Sequence, residues 1–346
     1  MCLLTELLMS QLFEHAIVFS DLHLGLKSNS VIHNNDCNDF IDWMIKLAKE
    51  KNCETCLFLG DFHHTRASIN IVTLNHSVRA LEKLAGAFKN VYFLPGNHDL
   101  YYKDRRDIQS AEWARHIPGI SIIDEMFTDG NVTIVPWLVG DDYKKMKKIK
   151  TKYVFGHFEL PHFYMNAMIQ MPDHGDVSSK DFGKVEHLFS GHFHKRQQHN
   201  NITYVGNPFP HNYADAGDDE RGCMTLEWDG TPKFHNWTDG PTYRVIKLSE
   251  LLNNADSLLK PKMCVRVNLD IDISYEEATF IKETFVDTYG LREITLIPNK
   301  NTGLDQDSAT ASISFESVDQ IVQNELTQIE SKAYDSKLLM GIYNSL

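Results

Sequence analysis

Cysteine is scarce and scattered. Six residues (Cys2, Cys37, Cys53, Cys56, Cys223, Cys264) occur in 346, too few and too dispersed for a disulfide framework. Cys53 and Cys56 have the spacing of half a zinc knuckle, but no second pair follows; reduced cysteines in a cytoplasmic chain are expected. Long apolar runs are absent as well. The longest are strand-length, which excludes a transmembrane helix and a membrane partner. Residues 1–12 are leucine-rich but include Glu6 and no basic n-region, so no secretory leader is expected. That stretch, residues 1–12, reads as a short helix or frayed extension before the first strand. Positive charge is in deficit: 34 Lys and Arg stand against 47 Asp and Glu, a formal net charge of −13. That balance ordinarily weighs against a nucleic-acid partner, except that bound metals would neutralise part of the carboxylate. Local basic runs remain at Lys103/Arg105/Arg106, Lys144–Lys152 and Lys195-Arg196. Each reads first as a solvated face and second as a DNA contact. Internal repeats are also missing.

What the chain does have is histidine and aspartate in short, ordered signatures. These are Asp21-Leu22-His23, Gly60-Asp61, Gly96-Asn97-His98-Asp99, Gly156-His157 and Gly191-His192-Phe193-His194. Each follows an apolar, strand-like run: Ala16–Ser20, Thr55–Leu59, Val91–Leu94, Tyr153–Phe155 and His187–Phe189. Val132–Trp137, Ile202–Val205 and Met224–Trp228 read as further strands, and Asp36–Glu50 and Ile69–Phe88 as amphipathic helices. Alternation of strand and helix gives an α/β layered fold, and the helix-poor later strands imply a second sheet. Ligands in such folds collect on loops beyond the carboxyl ends of strands.

The residue types fit a pair of divalent metals. Asp21 and His23 are two apart, so on an extended backbone both point the same way. Asp61 offers two oxygens, which suits it to bridge. Asn97 supplies an amide oxygen, and His157, His192 and His194 supply imidazoles. Mixed nitrogen and oxygen donors favour Mn²⁺, Fe²⁺ or Zn²⁺ over Ca²⁺, and a metal pair clamps both the attacking and the leaving oxygen of a phosphate ester. His98 is next to a ligand without being one; it is a candidate general acid, with Asp99 orienting it. His64 is a candidate for positioning substrate. The remaining histidines, His33, His63 and His211 among them, read as ordinary polar residues.

Past residue 240 the texture changes. Met263–Asp272 reads as a strand, Ser274-x-x-Glu277 as a capping box opening a helix that stops at Gly290, and Glu293–Pro298 as another strand. The expected division is therefore an extension 1–14, a catalytic domain 15–240, a cap 241–298, a linker 299–313 and a helical tail 314–346. Two apolar stripes mark the tail, Val318 to Ala333 and Leu338 to Leu346. They suit either docking on the same chain or binding a partner.

Taken together, the five signatures resemble the calcineurin-like metallophosphoesterase superfamily. Gly60-Asp61-Phe62-His63-His64 lacks the Asp-Arg-Gly continuation of phosphoprotein phosphatases, and Gly96-Asn97-His98-Asp99 ends in Asp rather than Glu. With the cap and tail, and with Phe189–His194 and Tyr204–Pro208, the pattern is similar to the SbcD-type DNA repair and recombination nucleases, phage recombination endonuclease subunits included. That resemblance implies a double β-sandwich flanked by helices, with a small cap. It implies one metal on Asp21, His23, Asp61 and His194 and another on Asp61, Asn97, His157 and His192, usually manganese, with magnesium, iron or zinc as alternatives. It makes His98 the catalytic histidine and His64 its support. It implies a double-strand exonuclease and single-strand endonuclease, a homodimer joined through helices near the third signature, Ile69–Phe88 and Asp107–Ile117, and an SbcC-type coiled-coil ABC ATPase bound by the C-terminal helices. Phe62-His63 stands where that family usually has an apolar pair before His64. Alternatives are a phosphoesterase acting on a small nucleotide or cyclic nucleotide, and a non-catalytic scaffold that binds DNA ends.

Overall fold

In the computed structural model, the described residues are 11–166, 169–173 and 177–298. The expected linker and helical tail lie outside them, as do residues 1–10. The chain divides into two compact units between Arg244 and Val245.

Twelve strands lie wholly within the first unit among the described residues. They are β1 (His15–Phe19), β2 (Thr55–Phe58), β3 (Asn90–Phe93), β4 (Ile120–Ile122), β5 (Phe127–Asp129), β6 (Val132–Val135), β7 (Tyr153–His157), β8 (His187–Gly191), β9 (Gln197–His199), β10 (Ile202–Tyr204), β11 (Gly222–Glu227) and β12 (Lys233–Asn236). One six-stranded sheet has the order β12-β11-β1-β2-β3-β4 and the other β5-β6-β7-β8-β10-β9. The strands that lead into the five signatures, β1, β2, β3, β7 and β8, pair in parallel within their sheets. Their carboxyl ends therefore open on one side.

Strand alternation explains the layering. In β1, Ala16 and Val18 join Leu57, Ile134, Phe155 and Phe189 between the sheets, while Ile17 and Phe19 face the helices with Phe40, Met44, Leu81 and Leu84. Val154 and Leu188 face outward from the second sheet into a third apolar cluster with Phe158 and Phe182. The two covering helices are α1 (Val31–Glu50) and α2 (Ile71–Ala87). The first begins five residues before the expected Asp36, because Ser30 caps it by accepting from the His33 N–H. Leu12 and Phe13, expected in an extension, are buried in the inter-sheet cluster beside Tyr153 and Trp228. Asp107–Ile117, expected as a helix, contains only a 3₁₀ turn, Glu112–His116.

Strand β13 (Thr242–Lys247) runs across the boundary, and α3 (Leu248–Leu258), β14 (Met263–Asn268), α4 (Tyr275–Tyr289) and β15 (Glu293–Ile297) belong to the second unit, with sheet order β13-β14-β15. In α4 both capping-box bonds form between Ser274 and Glu277, and Gly290 closes the helix at φ 61°. The sequence reading lacked β13 and α3. Leu248 and Leu251 of α3 nevertheless share the core of this unit with Val265, Val267, Ile281 and Ile294. Among the described residues no helix is long and apolar enough to cross a membrane.

Candidate metal centre

All ten residues singled out in the sequence come from the carboxyl ends of these strands or the loops that follow them, His157 being the last residue of β7. Asp61 lies between two groups of donors. Its carboxylate shares one group with Asp21 and His23, and another with His157 and His192; within each group the ligand atoms lie within 4.8 Å of one another. Asn97 Oδ1 stands 3.0 Å from both His157 Nε2 and His192 Nδ1, so amide and imidazoles aim at one point. His194 joins His23 within the same 4.8 Å limit.

The backbone is bent to make this possible. Asp21, His23, Asp61 and His192 all have positive φ, between 50° and 85°. Left-handed conformations in non-glycine residues cost about 1–3 kcal/mol each and gather where surrounding structure enforces them. Close approach explains the glycines. A Cβ on Gly96 would lie 2.2 Å from Asp61 Oδ1, and one on Gly60, at φ +102°, 2.4 Å from His157 Nδ1.

Hydrogen bonds then fix the His157 ring and the backbone of the other ligand loops. His157 Nδ1 donates to the Leu59 carbonyl at 2.6 Å, which leaves Nε2 as a lone-pair donor to a metal. His33, read from sequence as an ordinary residue, places Nε2 3.1 Å from the Leu22 carbonyl and 3.0 Å from that of His23, bracing the first loop from α1. The His192 N–H donates to Asp21 at 3.1 Å, and the His98 N–H to Asp61 Oδ1 at 2.9 Å.

Asp99 does something other than what was expected. It is wholly buried and accepts the backbone N–H groups of Phe62, His63 and Gly96 at 2.9–3.1 Å. Among the described residues no hydrogen bond joins it to the His98 ring. The orienting contact comes instead from the His64 carbonyl, 2.8 Å from His98 Nδ1. Asp99 is a clamp between two ligand loops. A fully buried carboxylate next to a chain reversal satisfies three otherwise stranded amides, which outweighs reaching for a half-exposed ring.

The electrostatics fit cations. Burial, reinforced by the charge of Asp61, pushes the Asp21 carboxyl up to about 7. Burial pushes His157 down, but the Asp61 carboxylate outweighs it and raises the ring to about 9. Burial holds His194 down at about 4 and His23 well below its usual value, so both keep their lone pairs. Two adjacent carboxylates beside the neutral imidazoles of His23 and His194, with His23 Nε2 buried and without a hydrogen-bond partner among the described residues, suit divalent ions.

Sequence reasoning missed several neighbours. Trp137 stands 5.2 Å from the His192 ring, its carbonyl held by Arg106. Glu159 lies 3.5 Å from His192 Nε2. His211 and the buried Arg221 enter from the loop after β10. Arg221 bonds the His194 carbonyl and the side chains of Asn207, Asp215 and Asp218. None has a local motif; only the folded loop brings them in. The basic runs are largely paired: Arg106 with Asp142, Lys144 with Asp141, Lys147 with Asp181 and Lys152 with Asp229.

Two stacked mixed sheets with buried His, Asp and Asn donors at their strand ends define a metal-dependent phosphoesterase that holds two divalent ions. The chain belongs to the calcineurin-like phosphoesterase family, whose model matches residues 15–196. Exonuclease subunit 1 of Enterobacteria phage T4 is 28% identical over 208 residues, 57% of this chain and 60% of that protein. The chain thus spans about 60% of the length of the curated relative it matches. Among solved structures, Pseudomonas putida nuclease MPE matches at 19% identity and TM-score 0.29, over 52% of this chain and 62% of its own. A dimetal phosphatase from Danio rerio matches at 10% and 0.39, over 62% and 92%.

Proposed function

We propose that this chain is the nuclease subunit of a DNA recombination and repair system, a manganese-dependent phosphodiesterase working with an SbcC-type ATPase. The observation that carries the reading is the placement of His98 against the metal donors. Its ring stacks on His64 at 15°, with centroids 5.4 Å apart, and meets His23 edge-on at 4.8 Å. All three line one cleft of about 280 Å³ with Asp61, His192 and His194.

Asp21, His23, Asp61 and His194 would hold one ion, and Asp61, Asn97, His157 and His192 the other. When bound, such a pair supplies Lewis-acid polarisation of the phosphate and a nucleophile at neutral pH. The protein's own work is to place a proton. With Nδ1 committed to the His64 carbonyl, His98 keeps Nε2 for the leaving oxygen of the ester. A diester needs that proton, because its leaving group is an alkoxide. His64 keeps the ring from turning, and the Asp61 bond to the His98 amide ties the acid to the bridging carboxylate.

The exonuclease identity of the phage relative supports DNA as substrate. A homodimer is supported by Val31, Ile32, Ile71 and Val72, exposed at the starts of α1 and α2. Those two starts are joined through Thr73, which bonds Asn29 and Asn34. The ATPase would engage the apolar stripes of residues 314–346, and the complex would act in the cytoplasm of a phage-infected or bacterial cell. The test is cleavage of labelled linear duplex and circular single-stranded DNA with Mn²⁺, beside bis-p-nitrophenyl phosphate. Loss of both DNAs is expected. Hydrolysis of the small diester alone, with the ATPase also present, would overturn the DNA reading in favour of a small nucleotide substrate.

A further inference from the structure

We propose that His211 is an additional nitrogen ligand of the metal held by His23 and His194. The proposal rests on the two-metal reading of this cluster and on nothing about the substrate.

Three observations carry it. First, one ring nitrogen each of His23, His194 and His211 lie within 4.8 Å of one another, the spacing of donors around a single ion. The rings meet edge-on, His211 to His194 at 5.1 Å and to His23 at 5.4 Å. Second, His211 is 2% exposed, and neither Nδ1 nor Nε2 has a hydrogen-bond partner among the described residues. A buried polar group left unpaired costs about 1–3 kcal/mol, so two such nitrogens in one ring call for a ligand. Third, the ring is aimed by construction. It lines the cleft that holds Asp61, His98 and His192, and its loop is pinned from behind. The His211 N–H donates to Asp215 Oδ2 at 3.0 Å, and Asp215 Oδ1 accepts from the buried Arg221. Arg221 also bonds the His194 carbonyl, so one guanidinium fixes both histidines.

A packing role is the competing explanation. His211 lies against Phe209 and His33 at 5.3 and 5.4 Å. Packing accounts for the burial, but a phenyl ring would fill that space without stranding two nitrogens. The chemistry of the two halves of the site then differs. One side offers three imidazoles with the carboxylates of Asp21 and Asp61. The other offers two imidazoles, Asp61 and the Asn97 amide. Imidazole-rich donor sets suit Zn²⁺ and Fe²⁺ better than Mg²⁺ or Mn²⁺. His211 therefore biases one site toward the softer ions.

The test is metal binding, read without any substrate. Wild type and His211→Phe are stripped of metal and titrated with Zn²⁺ and, separately, Mn²⁺ by equilibrium dialysis. Two ions per chain are expected for wild type. The variant should lose on the order of tenfold or more in affinity at one site only, the range seen when an orienting group is removed, with a larger loss for Zn²⁺. Equal affinities within twofold at both sites would overturn the proposal while leaving the two-metal reading intact. Failure of wild type to bind two ions would overturn that reading instead. His211→Asn serves if the phenylalanine variant does not fold. Imidazole ¹⁵N spectra of wild type during the Zn²⁺ titration give an independent readout. The His211 ring resonance should move with the same equivalent as those of His23 and His194; a resonance that stays fixed contradicts the assignment.

Discussion

The Nδ1 of His98 lies 2.8 Å from the backbone carbonyl of His64. A carbonyl only accepts, so Nδ1 carries the proton, and Nε2 is the atom left for chemistry. Residues thirty-four apart in sequence thereby orient the proposed general acid, which gives up its proton from Nε2 when the ring is protonated on both nitrogens. Asp99, the neighbouring carboxylate, does not.

Asp99 should consequently matter more to stability than to proton transfer. Asp99→Ala strands three buried amides, at about 1–3 kcal/mol for each, and should lower the midpoint of thermal unfolding markedly. Asp99→Asn keeps one acceptor oxygen and should fall between. Unfolding midpoints of both variants, with the pH profile of residual activity, check this. A shifted pH profile with unchanged stability would return Asp99 to the role of orienting His98.

Gly96→Ala should abolish tight metal binding. The new Cβ would sit 2.2 Å from Asp61 Oδ1 and 2.4 Å from the Asp61 amide, so the Asp61 carboxylate must move. Metal content after dialysis should drop from both sites together, because on the proposed assignment Asp61 would serve both. Retention of one full equivalent would argue against the bridge.

Arg221 should behave as a buried ion-pair hub. Arg221→Met leaves Asp215 buried and uncompensated, and breaking such a pair typically costs about 3–5 kcal/mol. Adding Asp215→Asn should recover part of the loss. A double-mutant cycle of unfolding free energies measures the coupling; additive losses would mean the pair does not hold the loop.

The Asp142 pair gives a pH-dependent prediction at residues that are not themselves metal donors. Burial alone would raise this carboxyl, but bonds from Lys145 at 2.8 Å and Arg106 at 2.7 Å hold it below its ordinary 3.8. A depressed carboxyl contributes stability above its unfolded value and loses it as pH falls through the folded one. Asp142→Asn should therefore be less stable than wild type at pH 7, with the difference shrinking below pH 3.8. A gap that stays constant with pH would rule out the ionic contribution.

Most of the first unit was legible in sequence because its signals are local. Apolar strand-length runs such as Ala16–Ser20 and Thr55–Leu59 each ended in a glycine, aspartate or histidine that only a special loop would tolerate. The Ser274/Glu277 box and Gly290 announced α4 the same way. Short edge strands did not show: Gln197–His199 and Lys233–Asn236 are polar, and pairing alone makes them strands. Glu112–His116 carried a helical pattern too short to hold against neighbouring turns. His211 was indistinguishable from a surface histidine, since its burial comes from Arg221, Asp215 and Phe209 converging after the loop closes. Asp99 was misread because adjacency in sequence stood in for adjacency of side chains.

The most direct test of the account compares wild type with His98→Asn in Mn²⁺-dependent cleavage of linear duplex DNA, at matched metal content. The account predicts two bound ions in both proteins and a loss of about 10²–10⁴-fold in the cleavage rate of the variant. Undiminished cleavage by a fully metallated His98→Asn would contradict it, because the proton would then reach the leaving oxygen by some route other than His98.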